Sequence, residues 1–396
     1  MIPFLEWGRE FSRGANVEIL PAILGVVLIL VVLGDAFETV VLPRRVTRRI
    51  RLARLFFRST WLPWSALLRW ISSGKRRETY LSFYGPLSLL LLLMVWATGL
   101  IFGFALLHWA NGSAIDLTKG SPGFSTDLYF SGTNFFTLGL GDVTPRTPMA
   151  RVLTALEAGM GFGFLALVIG YLPALNQSFS RREVNISLLD ARGGSPPTAA
   201  EMLRRHSYDP RLEELRLLLG DWELWSAELL ESHLSYPVLA YFRSQHENQS
   251  WLGALTAILD TCAFVMAELE GPCERQAELT FAIARHAVVD LALIFRRPPR
   301  QPEKDRLSPA QLELLRAALE ANGLKLLRGS AADQKLTELR QMYEPYVNSM
   351  SSFLAITIPP WIPEATPADN WQTSAWGSDS KFKRADVPKG SKEKHF

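Results

Sequence analysis

With 396 residues, 48% of them hydrophobic, and 42 Lys+Arg against 39 Asp+Glu, the chain is too apolar for a disordered tail protein and lacks the period of a collagen-like fibre. Its 2 cysteines cannot form a disulfide framework, and no CxxC pair offers a zinc or redox site. The near-neutral total hides a division: long uncharged stretches alternate with arginine blocks in the first half, while both signs mix evenly in the second. That asymmetry predicts a membrane part followed by a soluble part.

The first 16 residues carry acids and no basic region ahead of an apolar run, so they are read as a retained external N-terminus rather than a cleaved leader. Residues 17–42 contain ILPAILGVVLILVVLG and form the first predicted span, with Asp35 and Glu38 in its last two turns. Residues 43–79 follow as a basic amphipathic segment, rich in arginine and without an acid between Thr39 and Arg77, which the positive-inside rule places in the cytoplasm. Within it, Leu55 to Trp70 is aromatic but interrupted by Arg58 and Arg69, and reads as a helix lying in the interface.

Arg45, Arg48, Arg51 and Arg54 recur every third residue, the spacing of a voltage-sensing helix, yet Arg44 and Arg49 fill positions that such a helix keeps apolar. Only one span precedes the block, so Arg44, Arg45, Arg48, Arg49, Arg51 and Arg54 are assigned to contact with anionic lipid. Asp35 and Glu38 share a helix face and are expected to pair with these arginines at the inner interface.

No charged residue occurs from Tyr80 to Leu107, which gives an outer helix over 80–108. An inner helix is predicted over 149–174, broken only by Glu157 and followed by the basic pair Arg181 and Arg182. Three spans leave the loop between outer and inner helices outside. In that loop 126–136 is a short apolar helix, with Thr126 as expected N-cap and Asp127 in its first turn. After it comes Thr137-Leu138-Gly139-Leu140-Gly141-Asp142. Irregular backbone at membrane depth must be buried in protein or line water. Alternate glycines permit geometries that a Cβ would block, so successive carbonyls can point one way and replace an ion's hydration shell.

Span, short re-entrant helix, TxGxGD and span, over residues 80–175, resemble the pore module of the potassium channel superfamily in its small two-span bacterial form. LYF at 128–130 and DVTP at 142–145 extend the likeness. The resemblance implies potassium ions held by the Thr137 hydroxyl and by the carbonyls of Thr137, Leu138, Gly139 and Leu140, with Gly141 and Asp142 closing the outer mouth. One such loop per chain implies a homotetramer, because the family's filter is built from four. Leu140 stands where an aromatic is usual, Leu138 where Val is usual, and Asn134 and Phe136 where the pore helix usually has Thr. A weakly selective cation channel therefore stays beside the potassium-selective reading.

Glu157, two turns into the inner helix, has two readings: a buried hydrogen-bond partner of the pore-helix backbone, or an ion ligand. Gly159, Gly161 and Gly163 also have two, close helix packing or a gating hinge, for which the resemblance singles out Gly161. Pro173 is a further hinge candidate. The run from Gly161 to Ala166 also fits GxGxxA, but it lies inside an apolar span and not in a βαβ unit, so no nucleotide site is assigned.

Residues 176–197 are predicted to be a linker, 198–358 a cytoplasmic α-helical bundle, and 359–396 a disordered tail. WLGALTAILDTCAFVMAELE imitates a fourth span, but Asp260 and its short length favour a buried bundle helix. His206, His233, His246 and His286 lack metal-ligand spacing, and Cys262 and Cys273 are read as buried. The bundle would serve assembly or transmit a signal from an unidentified cytoplasmic ligand. The fold class is an all-α membrane protein, placed in a bacterial inner membrane with the N-terminus outside. No cofactor, nucleic-acid contact or catalytic constellation is implied. A non-conducting receptor or scaffold is the rival from another class.

Overall fold

The computed structural model describes residues 18–42, 52–68, 70, 74–117, 121–209, 211–246 and 248–363. The chain is an all-α membrane protein with a single short β-ribbon among the described residues. Among the described residues, four helices have the length and apolarity of a span: α1 (Ile19–Ala36, prolonged by a π-helical turn over Phe37–Val41), α3 (Lys75–Ala110), α5 (Pro148–Gly193) and α8 (Trp251–Glu268).

α1 packs along α3 in the opposite chain direction. The two backbones approach closely because the contact is made through glycine: a Cβ on Gly25 would lie 2.7 Å from the Gly103 carbonyl oxygen. Asp35 is buried at the lower end of this contact. It accepts the backbone N–H of Ala53 at 3.0 Å and the indole N–H of Trp96 at 3.0 Å. The expected pairing of Asp35 with the arginine block is thus replaced by a cap on α2 (Leu52–Leu68), because a carboxylate at this depth needs donors close at hand. Arg44, Arg45, Arg48, Arg49 and Arg51 lie outside the described residues; Arg54 stands in the first turn of α2.

α2 does not lie alone in an interface, as its aromatic residues suggested. It runs down α3 from Trp96 towards Leu81, and its buried face (Trp61, Ser65, Leu68) meets protein. Tyr84 of α3 donates to the Phe57 carbonyl at 3.0 Å, and the Trp61 ring stands 4.8 Å from that of Tyr84. Trp61 also donates its indole N–H to the Phe353 carbonyl of the helical domain, 2.8 Å away.

The inner helix is longer than its apolar stretch. α5 continues as one helix through the predicted linker 176–197 and stops at Gly193, where Gly194 (φ 85°) and Ser195-Pro196-Pro197 end it. Charge marks where lipid ends, not where the helix ends. Beyond the span α5 buries Arg182, Glu183, Ile186, Leu189 and Asp190 against the helical domain.

That domain comprises α6 (Ala199–His206), α7 (Glu213–Ser235), a 3₁₀ turn over Pro237–Tyr241, α8, α9 (Pro272–Ile294), α10 (Pro309–Ala321) and α11 (Ser330–Leu354). α8 is its centre: every residue from Trp251 to Val265 is buried by protein, the environment expected of a helix that is apolar all round. Asp260 is paired there with Arg306 and Tyr343. Cys262 and Cys273 are buried. Residues 359–363, expected in the tail, belong to this domain instead: Trp361 is completely buried and its carbonyl accepts the Ala200 N–H at 3.1 Å. Residues 1–16 and 364–396 lie outside the described residues.

Candidate functional site: the pore loop

The re-entrant helix is α4 (Phe124–Phe135). It starts two residues before the expected cap: Gly123 precedes its first turn, and the Thr126 hydroxyl donates to the Ser121 carbonyl at 3.1 Å instead of capping. The loop after it returns through a two-stranded ribbon, β1 (Ile115–Leu117) with β2 (Val143–Pro145), in which Asp116 faces Thr144. Arg146 Nε donates to Asp116 at 2.7 Å across the same ribbon. The segment following the TxGxGD motif is thereby tied to the chain leaving the outer helix α3.

Backbone conformation alternates along the motif. Thr137 (φ 56°), Gly139 (φ 54°) and Gly141 (φ 78°) lie in the left-handed region, while Leu138 and Leu140 do not. Alternation of this kind is the backbone geometry that lets successive carbonyls point one way instead of to opposite sides. The glycines accept this geometry without strain; Thr137 does not, and its backbone N–H is held by the Asn134 carbonyl at 2.9 Å. Leu138 N–H is held by the Thr133 carbonyl at 2.8 Å.

Phe136 to Asp142 are all exposed in the single chain, with the apolar side chains of Phe136, Leu138 and Leu140 about 60% accessible. Asn134 is half-buried, and its Nδ2 has no partner among the described residues. At the outer end the Tyr129 hydroxyl donates to Asp142 Oδ2 at 2.9 Å. A hydroxyl of α4 thus ties down the outer end of the loop. The sequence held a signal for this contact, a Tyr and an Asp flanking the motif, which went unread.

Behind the pore helix Glu157 is completely buried. Ser131 of α4 donates to its Oε1, and His108 at the end of α3 approaches Oε2 at 3.5 Å. Glu157 therefore faces the back of α4 and not the TxGxGD backbone, and its partners are side chains where pore-helix backbone was expected. The missed member, His108, carried a legible sign: it closes the longest uncharged run in the chain.

Of the three glycines, Gly161 stands apart. A Cβ there would fall 1.8 Å from the Phe135 carbonyl oxygen, whereas at Gly159 and Gly163 it would meet nothing within 4 Å. Gly161 is the point at which the inner helix touches the end of the pore helix, a close approach that only glycine permits. Pro173 lies within α5, which continues past it.

Below the span, the 3₁₀ turn Pro237–Tyr241 wedges between α3 and α5: Val238 and Leu239 pack with Leu89, Tyr171 and Leu175. Arg182 of α5 secures it, donating to the carbonyls of Leu239 and Phe242, each at 2.9 Å, and pairing with Glu183 at 2.9 Å. Next to this junction a pocket of about 260 Å³ opens, lined by Ser178, Arg181, Arg182, Glu228, Glu231 and Tyr236 among others.

Residues 89–177 match the family model described as an ion channel, a two-span pore domain of the potassium-channel kind. This chain thus carries an ion-channel domain, built from α3, α4, the TxGxGD loop and α5. Among curated proteins, the uncharacterized membrane protein YdjJ of Bacillus subtilis (strain 168) is 27% identical over 205 residues, 49% of this chain. The match spans 58% of that relative's length. No solved structure matches the chain.

Proposed function

We propose that the protein is a homotetrameric channel through which potassium ions pass passively, down their electrochemical gradient, without chemical turnover. The observation that carries this reading is the alternation of Thr137, Gly139 and Gly141 in the left-handed region on a loop left exposed in the single chain. Such a row of carbonyls has nothing opposite it until other copies close a ring around an axis. In that ring the carbonyls of Thr137 to Leu140 and the Thr137 hydroxyl are the ion ligands, Gly141 and Asp142 form the mouth, and Asn134, Phe136 and Glu157 support them from behind. The N-terminus is outside and the helical domain cytoplasmic, in a bacterial inner membrane whose anionic lipids meet the arginine run from Arg44 to Arg54. The helical domain reports to the gate through Arg182, and the adjoining pocket is where a cytoplasmic ligand would bias it.

The test is potassium flux into liposomes holding the full-length protein, compared with Gly139→Asp. That substitution puts a side chain and a negative charge on the axis. Wild type is expected to conduct and to be blocked by barium, and the variant to lose flux by at least a hundredfold while still assembling. Conduction by the variant at the wild-type rate would remove the filter assignment. A wild-type chain silent even without its helical domain would favour a receptor or scaffold. Leu140, with Asn134 and Phe136 in place of the usual residues, favours weak selectivity as the second reading. Reversal potentials in mixed sodium and potassium separate the two.

A further inference from the structure

Arg58 of α2 and Arg297 of the helical domain stand at the same seam, where Trp61 meets Phe353, and neither has an acidic partner among the described residues. Arg297, just past α9, lies over the ring of Phe353, 3.9 Å from its centroid. The carbonyl of the same Phe353 accepts the indole N–H of Trp61, and Trp61 stands one turn beyond Arg58 on α2. Arg58 is exposed, and Arg297 is half-buried with its Nε lacking a partner. Neither forms an ion pair with a described acid. Burial lowers the Arg297 guanidinium below its ordinary range; the nearby Tyr241 opposes this, and the positive charge of Arg58 adds to it. A half-buried cation that also feels a second positive charge is destabilised, and an anion bound between the two removes the conflict.

The height of the pair in the fold selects the anion. α2 starts beside Asp35 and Trp96, within the uncharged run of α3, and descends to Tyr84 and Leu81, just above Arg77 and Glu78 where charge resumes. Arg58 therefore sits at the edge of the apolar zone, the level of a phosphate headgroup. On the same helix Leu55 and Leu62, one turn to either side, are 63% and 45% exposed, and offer apolar surface that a free phosphate ion would not use.

We propose that Arg58 and Arg297 together bind the phosphate of an anionic phospholipid, with its acyl chains along Leu55 and Leu62, so that a lipid ties the helical domain to the membrane-side helix α2. This site is separate from the arginine run at 44–54 and is independent of whether the pore conducts.

The test uses full-length protein in detergent micelles doped with phosphatidylglycerol, with phosphatidylcholine, or supplied with sodium phosphate, and follows the melting temperature. Phosphatidylglycerol is expected to stabilise the wild type, and Arg58→Gln and Arg297→Gln each to raise the half-saturating lipid fraction about fivefold, the size of one basic residue's attraction to an anionic leaflet. Arg216→Gln, on an exposed pair with Glu213, serves as the control and should leave it unchanged. Arg297 also packs on Phe353, so if Arg297→Gln fails to fold, the exposed Arg58→Gln decides alone. The proposal is overturned if Arg58→Gln keeps the wild-type response, or if sodium phosphate or phosphatidylcholine reproduces it.

Discussion

With the filter proposed above, Gly161→Ala is expected to reduce flux at least tenfold and to abolish the potassium-over-sodium stabilisation that such a filter confers. The Phe135 carbonyl, 1.8 Å from where the new methyl would lie, would have to retreat by about 1.6 Å to reach the 3.4 Å of ordinary contact. It belongs to backbone, so no side-chain rotation relieves the clash, and the residue in question ends the pore helix two positions before Thr137. Overpacking of this kind costs about 1–3 kcal/mol, and here it acts on the entrance to the row of carbonyls. Gly159→Ala and Gly163→Ala enter open space in the single chain and gain helix propensity, so both should retain flux and the potassium-dependent shift. A hinge at Gly161 has a different signature, loss of flux with the potassium shift intact. Thermal melts in the two salts therefore decide between packing and bending at this glycine.

The parts of the fold legible in the sequence were those where one residue type answers one constraint. Alternating glycines, an apolar run of span length and an acid inside an apolar helix each leave few physical alternatives, and they located the pore loop, α3, α5 and Glu157. What stayed hidden depends on which partner a face meets. Trp61 and Tyr84 have the composition of an interfacial belt, yet they stack on each other and on the helical domain. The stretch 176–193 looks like a linker because its composition turns polar, although Arg182 and Glu183 are buried by protein that folds over them from later in the chain. Pro359-Pro360-Trp361 resembles tail, but Arg306 donates to the Pro359 carbonyl at 2.9 Å and the Trp361 ring fills the domain. Glu157 and Asp35 were readable as polar residues in apolar surroundings, whereas their partners Ser131 and Trp96 came from other helices and had no local signal. Periodicity reports a face; it does not report what covers it.

Arg182→Gln should cost about 3–5 kcal/mol of stability in the helical domain, because it leaves Glu183 uncompensated in a buried site and strips two donors from the 3₁₀ turn. A second consequence is a changed response to acid. His233 of α7 is completely buried beside this guanidinium, its Nε2 3.5 Å from Arg182 Nη1, its Nδ1 2.8 Å from the Leu229 carbonyl, and its ring against Trp251. Burial, and then the positive charge of Arg182, push its pKa down from 6.5 to about 3. In the unfolded chain the imidazole titrates near 6.5, so below that pH the unfolded state takes up a proton that the folded state refuses. Stability is therefore present in full above pH 6.5 and falls by up to about 1.4 kcal/mol per pH unit as pH drops from 6.5 towards 3. Carboxylates titrate over part of the same range, so the measurement is the difference between wild type and His233→Gln in melting followed by tryptophan fluorescence at pH 7.5, 6.5, 5.5 and 4.5. The gap should change steadily below pH 6.5, and more gently when Arg182→Gln has removed the neighbouring charge. Parallel curves throughout would mean that His233 is protonated in the folded protein and that the junction is wetter than its packing indicates. Because Arg182 lies on the helix that continues from the pore, the same variants recorded for flux should show whether loosening this junction moves the inner helix or leaves it to the wedge of Val238 and Leu239 alone.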